Sequence, residues 1–458
     1  MERLCEDFEG FNDVRPGEIM KVFLLELNEF NEELLKSAAI EFGFSNIQKL
    51  VGMHRTETRT DDTYESDFLE PWVQWLSVHT GEPSSSHGIK HLGDVPHLNM
   101  PQIWEYLSKN GKSSGVWGAM NASRGAAEKC LFFLPDPWTA SERAYPEEFN
   151  QLLDPLRFAS KNYLGGIKTK VISQLKGVLK LLNSYGLLKE ILKETPFFLK
   201  QLIRFRGSHF VFIAFAEYLS TLLFLQCKKR FNPDFSLLFI NTLAHLQHHY
   251  WTGFLYKDNK KLQLGLHYLD RILGRIFTSL HPEEVFIVAN ALSQKNTNEE
   301  SPWILYRPLD HQSFLDKAGI SHYRVEAHMT HDAHLFFSEP KHCQAAANIL
   351  EGAMIEGQKL FLTETYPEDP KKLFYRIIFT EPLSERAEFI INTQRLRFFD
   401  FFKQIVQRTG KHIPIGTLYS STPGLPLQMK NHEIFHAIVQ YFQSKDLELK
   451  KSPEYTAR

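Results

Sequence analysis

The segment His328-Met329-Thr330-His331-Asp332-Ala333-His334 gathers imidazoles and a carboxylate in a short stretch. Spacings of this kind suit a borderline-soft metal site. On an extended chain, however, His328 and His331 point to opposite faces, and neutral imidazoles in a loop are readily solvated. The expectation for this stretch is a loop with exposed histidines. A second group, His245, His248 and His249, lies in FINTLAHLQHHYW, residues 239–251, and His412 stands alone in GKHIPIG, residues 410–416. No GxxxxGK[ST] loop, GxGxxG turn, GxSxG elbow or HExxH helix accompanies them. Zinc-finger spacing and a basic–aromatic stripe for nucleic acid are likewise missing, so no nucleic-acid partner is expected.

The chain around these groups has 458 residues, 43% of them apolar, with 37 Phe, 16 Tyr and 7 Trp, which is ample material for a packed core and excludes a disordered chain. Cys5, Cys130, Cys227 and Cys343 are scattered and form no disulfide framework. The acidic start, MERLCEDFEGFNDVRPGE, lacks an apolar leader. The apolar stretch over residues 210–225 is interrupted by Glu217, Ser220 and Thr221 and reads as too short for a bilayer span. A cytoplasmic setting is the resulting expectation. The net charge of −2 is unevenly spread, acidic over residues 1–70 and strongly basic over residues 157–230. That asymmetry suits an anionic partner.

Positioning elements follow from the apolar spacing. KVFLLEL, residues 21–27, predicts a strand buried on both faces. A helix is expected after Asn31, a second strand within residues 51–60, and a helix opened by Glu70-Pro71-Trp72, where proline's missing N–H is harmless. Further strands are predicted near residues 115–118, 235–241, 284–289, 333–337 and 374–379. Strands alternating with helices predict an α/β fold with a mostly parallel central sheet and helices on both faces. Residues 153–231 read as helix only, with Leu175, Leu179, Leu182, Leu188 and Leu192 at helical spacing and Lys176, Lys180, Lys189 and Lys193 between them. This predicts a basic helical cap insertion packed on the core, dividing the core into residues 1–152 and 232–445; residues 446–458 read as a charged, frayed tail. The same pattern would suit a membrane-surface helix, the lesser expectation here.

Trp75-Leu76-Ser77-Val78-His79-Thr80-Gly81 followed by His87-Gly88-Ile89 resembles the W-x-S-x-x-T-G…H-G-I stretch of the alkaline phosphatase superfamily, in its type I phosphodiesterase, nucleotide pyrophosphatase and phosphohydrolase/mutase-like branch. Residues 22–35, 131–138, 239–251, 285–289 and 410–416 resemble that family's other segments in order, so the likeness spans about residues 21–420. The resemblance implies an alkaline-phosphatase-like fold with two divalent metals at the carboxyl ends of strands and a hydroxyl nucleophile at a helix start.

Carried over position by position, the family's metal ligands fall on Asn28, Ala244, His248, Asn290, Ala291 and His412, and its nucleophile on Pro71. Amides and methyl groups bring no negative charge, so a pair of zinc ions is not expected. A rebuilt site is the alternative: Glu26, two residues before Asn28 on the same strand face, joins His248 and His412 around one divalent ion (zinc, manganese or magnesium), or no metal binds at all. Glu70 is then a candidate general base, with Glu26 the other candidate catalytic acid or base, and His245 and His249 are candidates for substrate binding. The plainer readings make Glu70 a helix-dipole partner, Glu29 a first-turn acid, and His245 and His249 core residues. Function accordingly divides between a phosphoester hydrolase or phospho-transferase relative acting on an anionic small molecule or glycan phosphate, and a catalytically inactive binding or scaffold protein with the same fold.

Overall fold

The computed structural model describes residues 20–162, 169–252, 259–328 and 331–451. The acidic start with Cys5, and the end of the tail from residue 452, lie outside the described residues. The chain divides into two compact units, one of residues 1–156, 169–296 and 410–458, the other of residues 157–168 and 297–409.

The first unit opens with β1 (Lys21–Leu27), α1 (Glu32–Phe42), α2 (Ser45–Val51), β2 (His54–Arg59), α3 (Pro71–Thr80), α4 (Ser84–His87), α5 (Ile103–Lys109), β3 (Ser114–Trp117) and β4 (Cys130–Leu134). Helices α6 (Asn150–Asn162), α7 (Thr169–Ser184), α8 (Leu188–Arg204) and α9 (His209–Phe231) follow, then β5 (Phe235–Ile240), α10 (Thr242–Tyr250), α11 (Lys260–Ser279), β6 (Glu284–Ala289) and β7 (Ser293–Asn296). In the second unit are β8 (Ile304–Pro308), α12 (His311–Lys317), β9 (Tyr323–Ala327), β10 (Asp332–Phe337), α13 (Pro340–Glu351), β11 (Met354–Ile355), β12 (Gln358–Lys359), β13 (Phe361–Tyr366), β14 (Asp369–Ile377), β15 (Glu388–Ile391), β16 (Gln394–Arg397) and β17 (Phe402–Gln407). The chain closes in the first unit with β18 (Gly410–Ile413), β19 (Ile415–Ser420), β20 (Gln428–Lys430) and α14 (Glu433–Lys451).

The central sheet runs β20-β2-β19-β6-β1-β5-β3-β4. Strands β6, β1, β5, β3 and β4 are parallel, and β19 lies antiparallel to both β6 and β2. This is the expected α/β architecture, a mostly parallel sheet flanked by helices with helical and strand insertions. β1 is apolar because both of its edges are paired and both of its faces are covered, so Phe23 meets Phe224 of α9 and Phe286 of β6 with ring centroids 5.3 and 5.2 Å apart. Pro71 stands at the first position of α3, as expected, with Glu70 as the cap residue.

Two elements depart from their expected extent. α9 is 23 residues long and has the length and composition to cross a membrane, so the interruptions at Glu217, Ser220 and Thr221 did not shorten it. It serves here as a core helix: Val211, Ala214, Leu222, Leu223, Phe224 and Cys227 are buried, and it packs on β3, β4 and β5. α14 continues to Lys451, through residues expected to fray.

The second unit has its own core, from Ile304 and Phe314 to Phe389 and Phe402. Its histidines correct the expectation of an exposed loop. His328, Asp332 and His334 are buried: His328 Nδ1 lies 2.9 Å from Asp332 Oδ2, His334 Nδ1 lies 2.8 Å from His328 Nε2, and Tyr366 Oη completes the chain 2.6 Å from His334 Nε2. β9 and β10 pair antiparallel, and the His328 amide meets the Asp332 carbonyl at 3.0 Å, which brings His328 beside Asp332 and His334.

Where β1 hands over to α1, Glu32 takes two hydrogen bonds from Arg55, at 2.6 and 2.8 Å, and one from Tyr419. Burial alone would raise its carboxyl; the hydrogen bonds from Arg55, Lys36 and Tyr419 outweigh burial and lower it to about 2. A folded-state value below the ordinary one adds stability that is complete above about pH 4.5 and disappears as the pH falls toward 2. Glu32→Gln is therefore expected to be less stable than the parent by about 1–2 kcal/mol at pH 7 in urea unfolding, with the two curves converging near pH 2.

Candidate functional site

The carboxyl ends of β1, β5 and β6 point to one edge of the sheet, the usual place for a site in an open parallel sheet. Immediately after β1, the backbone of Glu29 turns into the left-handed region with φ 53°, a conformation that non-glycine residues adopt at a cost. Gln247 of α10 clamps this turn, donating from Nε2 to the Glu29 carbonyl at 2.9 Å and accepting the Asn31 amide at Oε1 at 3.1 Å. α10 is itself held at its start by Glu217 of α9, which accepts the Asn241 and Thr242 amides at 2.6 and 3.0 Å.

The turn aims the Glu29 carboxylate at two histidines. Oε2 lies 2.8 Å from His248 Nε2 and 3.0 Å from His412 Nε2, and the two Nε2 atoms are 3.2 Å apart. His248 comes from α10 and His412 from β18, which pairs with β7. On the far side of each ring, Nδ1 faces a backbone carbonyl: Gly410 O at 3.1 Å from His248 and Leu69 O at 3.0 Å from His412. A carbonyl only accepts, so each Nδ1 carries a proton; the ionised Glu29 carboxylate also only accepts, so without a metal it is met by Nε2 protons, which a divalent ion would displace. With those protons displaced, one carboxylate oxygen and two Nε2 atoms would converge on one point. Burial alone would raise the Glu29 carboxyl; the neighbouring His412 and His248 outweigh burial and hold it well below the usual carboxylate range. Glu29, His248 and His412 form a three-residue cluster able to coordinate a divalent ion.

Two amides orient the carboxylate. Gln294 donates to Glu29 Oε2 at 2.6 Å and Asn28 to Oε1 at 2.8 Å. Gly410 leaves room for this arrangement, because a Cβ there would stand 2.0 Å from Gln294 Oε1 and 3.0 Å from the Gln247 carbonyl.

The residues singled out from the sequence separate into several groups. His248 and His412 come together. Asn28 is beside the cluster, but its Oδ1 accepts the Trp75 indole N–H at 2.7 Å and its amide supports Glu29, so it acts by orienting the acid. Asn290 spends both ends of its amide on backbone, donating to Phe30 O and accepting Thr417 N, each at 2.7 Å. Glu26 shares the face of Asn28 as expected, yet one pleat deeper it meets His79 Nε2 at 2.6 Å, with both side chains fully buried; it is not among the clustered donors. Glu70 makes no side-chain cap on α3, and its Oε2 stands 3.4 Å from His412 Nδ1. His245 and His249 stack on each other at 4.2 Å, and His245 also meets His209 of α9 at 6.2 Å. Burial pushes the His245 imidazole down to about 4, so it is neutral at pH 7. Glu29, read as a first-turn acid, is the residue that the sequence reading passed over. Its signal was its place as the first carboxylate beyond the end of β1.

Among solved structures, the chain is similar to phosphonoacetate hydrolase from Sinorhizobium meliloti 1021 in complex with phosphonoformate, at 14% identity and a TM-score of 0.43 over 93% of this chain and 96% of that one. It is similar to murine ectonucleotide pyrophosphatase/phosphodiesterase 5 at 10% identity and a TM-score of 0.44, and to the human form at 9% and 0.43, each over 93% of this chain and 95% of the other. No family model and no curated relative matches the chain. The cytoplasmic expectation does not stand: two of these three structures are ecto-enzymes by name, and the buried thiols of Cys130, Cys227 and Cys343 carry no information about compartment.

Separating Glu26 from the cluster has a measurable consequence. Glu26→Ala deprives buried His79 of its partner and is expected to cost about 1–3 kcal/mol in urea unfolding. Zinc affinity measured on the folded variant is expected to stay at the parent's value.

Proposed function

We propose that this protein is a phosphoester hydrolase or phospho-transferase relative that works with a single divalent metal held by Glu29, His248 and His412. The observation that carries the reading is the convergence of a carboxylate oxygen and two Nε2 atoms within 3.2 Å of one another, with both Nδ1 protons engaged by backbone carbonyls, so that a cation can replace the Nε2 protons. Two imidazoles and one carboxylate favour zinc over magnesium, and the carbonyl behind each imidazole is the support that metal-bound histidines ordinarily have. The bound ion would supply Lewis acidity toward a phosphoryl oxygen.

The chain's own groups supply the rest. Pro71 removes the side-chain nucleophile, so water, or a hydroxyl of a second substrate, attacks phosphorus directly. In this reading Glu70, a partly exposed carboxylate whose Oε2 lies 3.4 Å from His412 Nδ1, takes the proton from that nucleophile. Gln294 and Asn28 hold the Glu29 carboxylate in one orientation, which keeps the donor set organised before anything binds. An inactive binding protein is the second reading. It is favoured by the proline at the nucleophile position and by the engagement of Asn290 with backbone.

Calorimetric titration of the metal-stripped chain with zinc is expected to give one ion per chain, with Glu29→Gln and His412→Ala each weakening it at least about tenfold. Turnover of an aryl phosphate or phosphodiester should follow zinc occupancy, and Glu70→Gln should lower kcat by about a hundredfold with zinc affinity unchanged. One zinc without turnover of any phosphoester would favour the binding protein; absence of zinc binding would remove the metal-dependent enzyme and leave the binding protein.

Gly410→Ala tests the organisation of the site. Its Cβ displaces Gln294, so zinc affinity is expected to fall about tenfold while Glu29, His248 and His412 remain in place.

A further inference from the structure

The cap helices leave part of their apolar residues at the surface. On α8 the residues facing the protein include Glu194 and Gln201, each only 4% exposed, with Glu194 paired to Arg271 and accepting the Tyr218 hydroxyl at 3.1 Å. Ile191, Phe197 and Phe198 pack against the core, while four aliphatic residues of the same helix face outward: Leu192 is 70% exposed and Ile203 80%, with Leu188 and Leu199 also exposed. Their steps of four, seven and four keep them on one face of the helix. Leu175 and Leu179 of α7 are exposed in the same way. Of the stripe that was expected to pack on the core, Leu182 is buried, while Leu175, Leu179, Leu188 and Leu192 remain at the surface.

Each of these aliphatic residues is followed directly by a cation. The pairs are Leu175-Lys176, Leu179-Lys180, Leu188-Lys189, Leu192-Lys193, Leu199-Lys200 and Ile203-Arg204, and all twelve residues are exposed. A cation one position on sits 100° around the helix, at the margin of the apolar stripe, where a long side chain can lie along it with its charge at the boundary. Apolar residues that enter an acyl layer, edged by cations that meet its headgroups, are the arrangement of an interfacial helix. A solvated face would place cations where these leucines stand.

We propose that α7 and α8 form a docking surface for a membrane bearing anionic lipid. Leu192 and Ile203 enter the acyl boundary, and the flanking lysines and Arg204 contact the headgroups. Vesicles of phosphatidylcholine, alone or with about a third phosphatidylserine, test this by flotation of the full chain at low and high salt. Binding is expected to the anionic vesicles only, to fall steeply with salt, and to weaken at least about tenfold in Leu192→Glu/Ile203→Glu. Both replaced side chains are exposed, so the variant is expected to keep the parent's melting temperature, and its zinc affinity serves as a second check of folding. Lys189→Glu/Lys193→Glu should abolish the preference for anionic lipid. No binding by the parent, equal binding to neutral vesicles, or unchanged binding by Leu192→Glu/Ile203→Glu would each overturn the proposal. So would a dimer in sedimentation that Leu192→Glu/Ile203→Glu converts to monomer, since a second copy would then be what covers this face.

Discussion

The candidate site depends on where two protons are held. His248 and His412 each give their Nδ1 proton to a backbone carbonyl, and this turns both Nε2 atoms toward the Glu29 carboxylate. Without those carbonyls nothing would fix the rings, and the two Nε2 atoms would not face the same acid oxygen. The carbonyls come from residues 69 and 410, far apart in the chain, so the protonation pattern is a product of the fold.

Around that point the structure replaces charge with orientation. Asn28 and Gln294 bring no charge, but each donates to one oxygen of the same carboxylate and fixes its plane. Gln247 holds the strained turn that presents it. The stretch that carries the family resemblance has a similar architectural role. Trp75 binds Asn28, Ser77 lies 3.0 Å from His87 Nε2, and Gly81 and Gly88 end α3 and α4 with φ of 77° and 67°. These residues define the scaffold around the site and leave its donors free to differ.

The cap helices follow another constraint. Glu194 lies inward because Arg271 and Tyr218 meet it there, and a buried acid needs such partners. Ile191, Phe197 and Phe198 also pack inward, and the leucines on the opposite face have no core to enter. The hydrophobic pattern of α8 is strong in either orientation, so periodicity identifies the helix without identifying its inner side.

What the sequence determined by itself was local and repetitive. The apolar run of β1, the proline that starts α3, the helix-only stretch that ends at Phe231 and the alternation that makes a mostly parallel sheet depend on neighbours a few residues apart, and these were legible. His248 and His412 were legible through their flanking segments. The choice of acid was not: period two along β1 placed Glu26 beside Asn28, and so it is, but the strand ends before Glu29, whose positive φ breaks that period. The buried histidines of the second unit were read as exposed because their partners are on other strands. Tertiary structure alone decided which carboxylate met the imidazoles, which imidazoles were buried and which face of α8 turned to solvent, since each of these depends on contacts between segments distant in the chain.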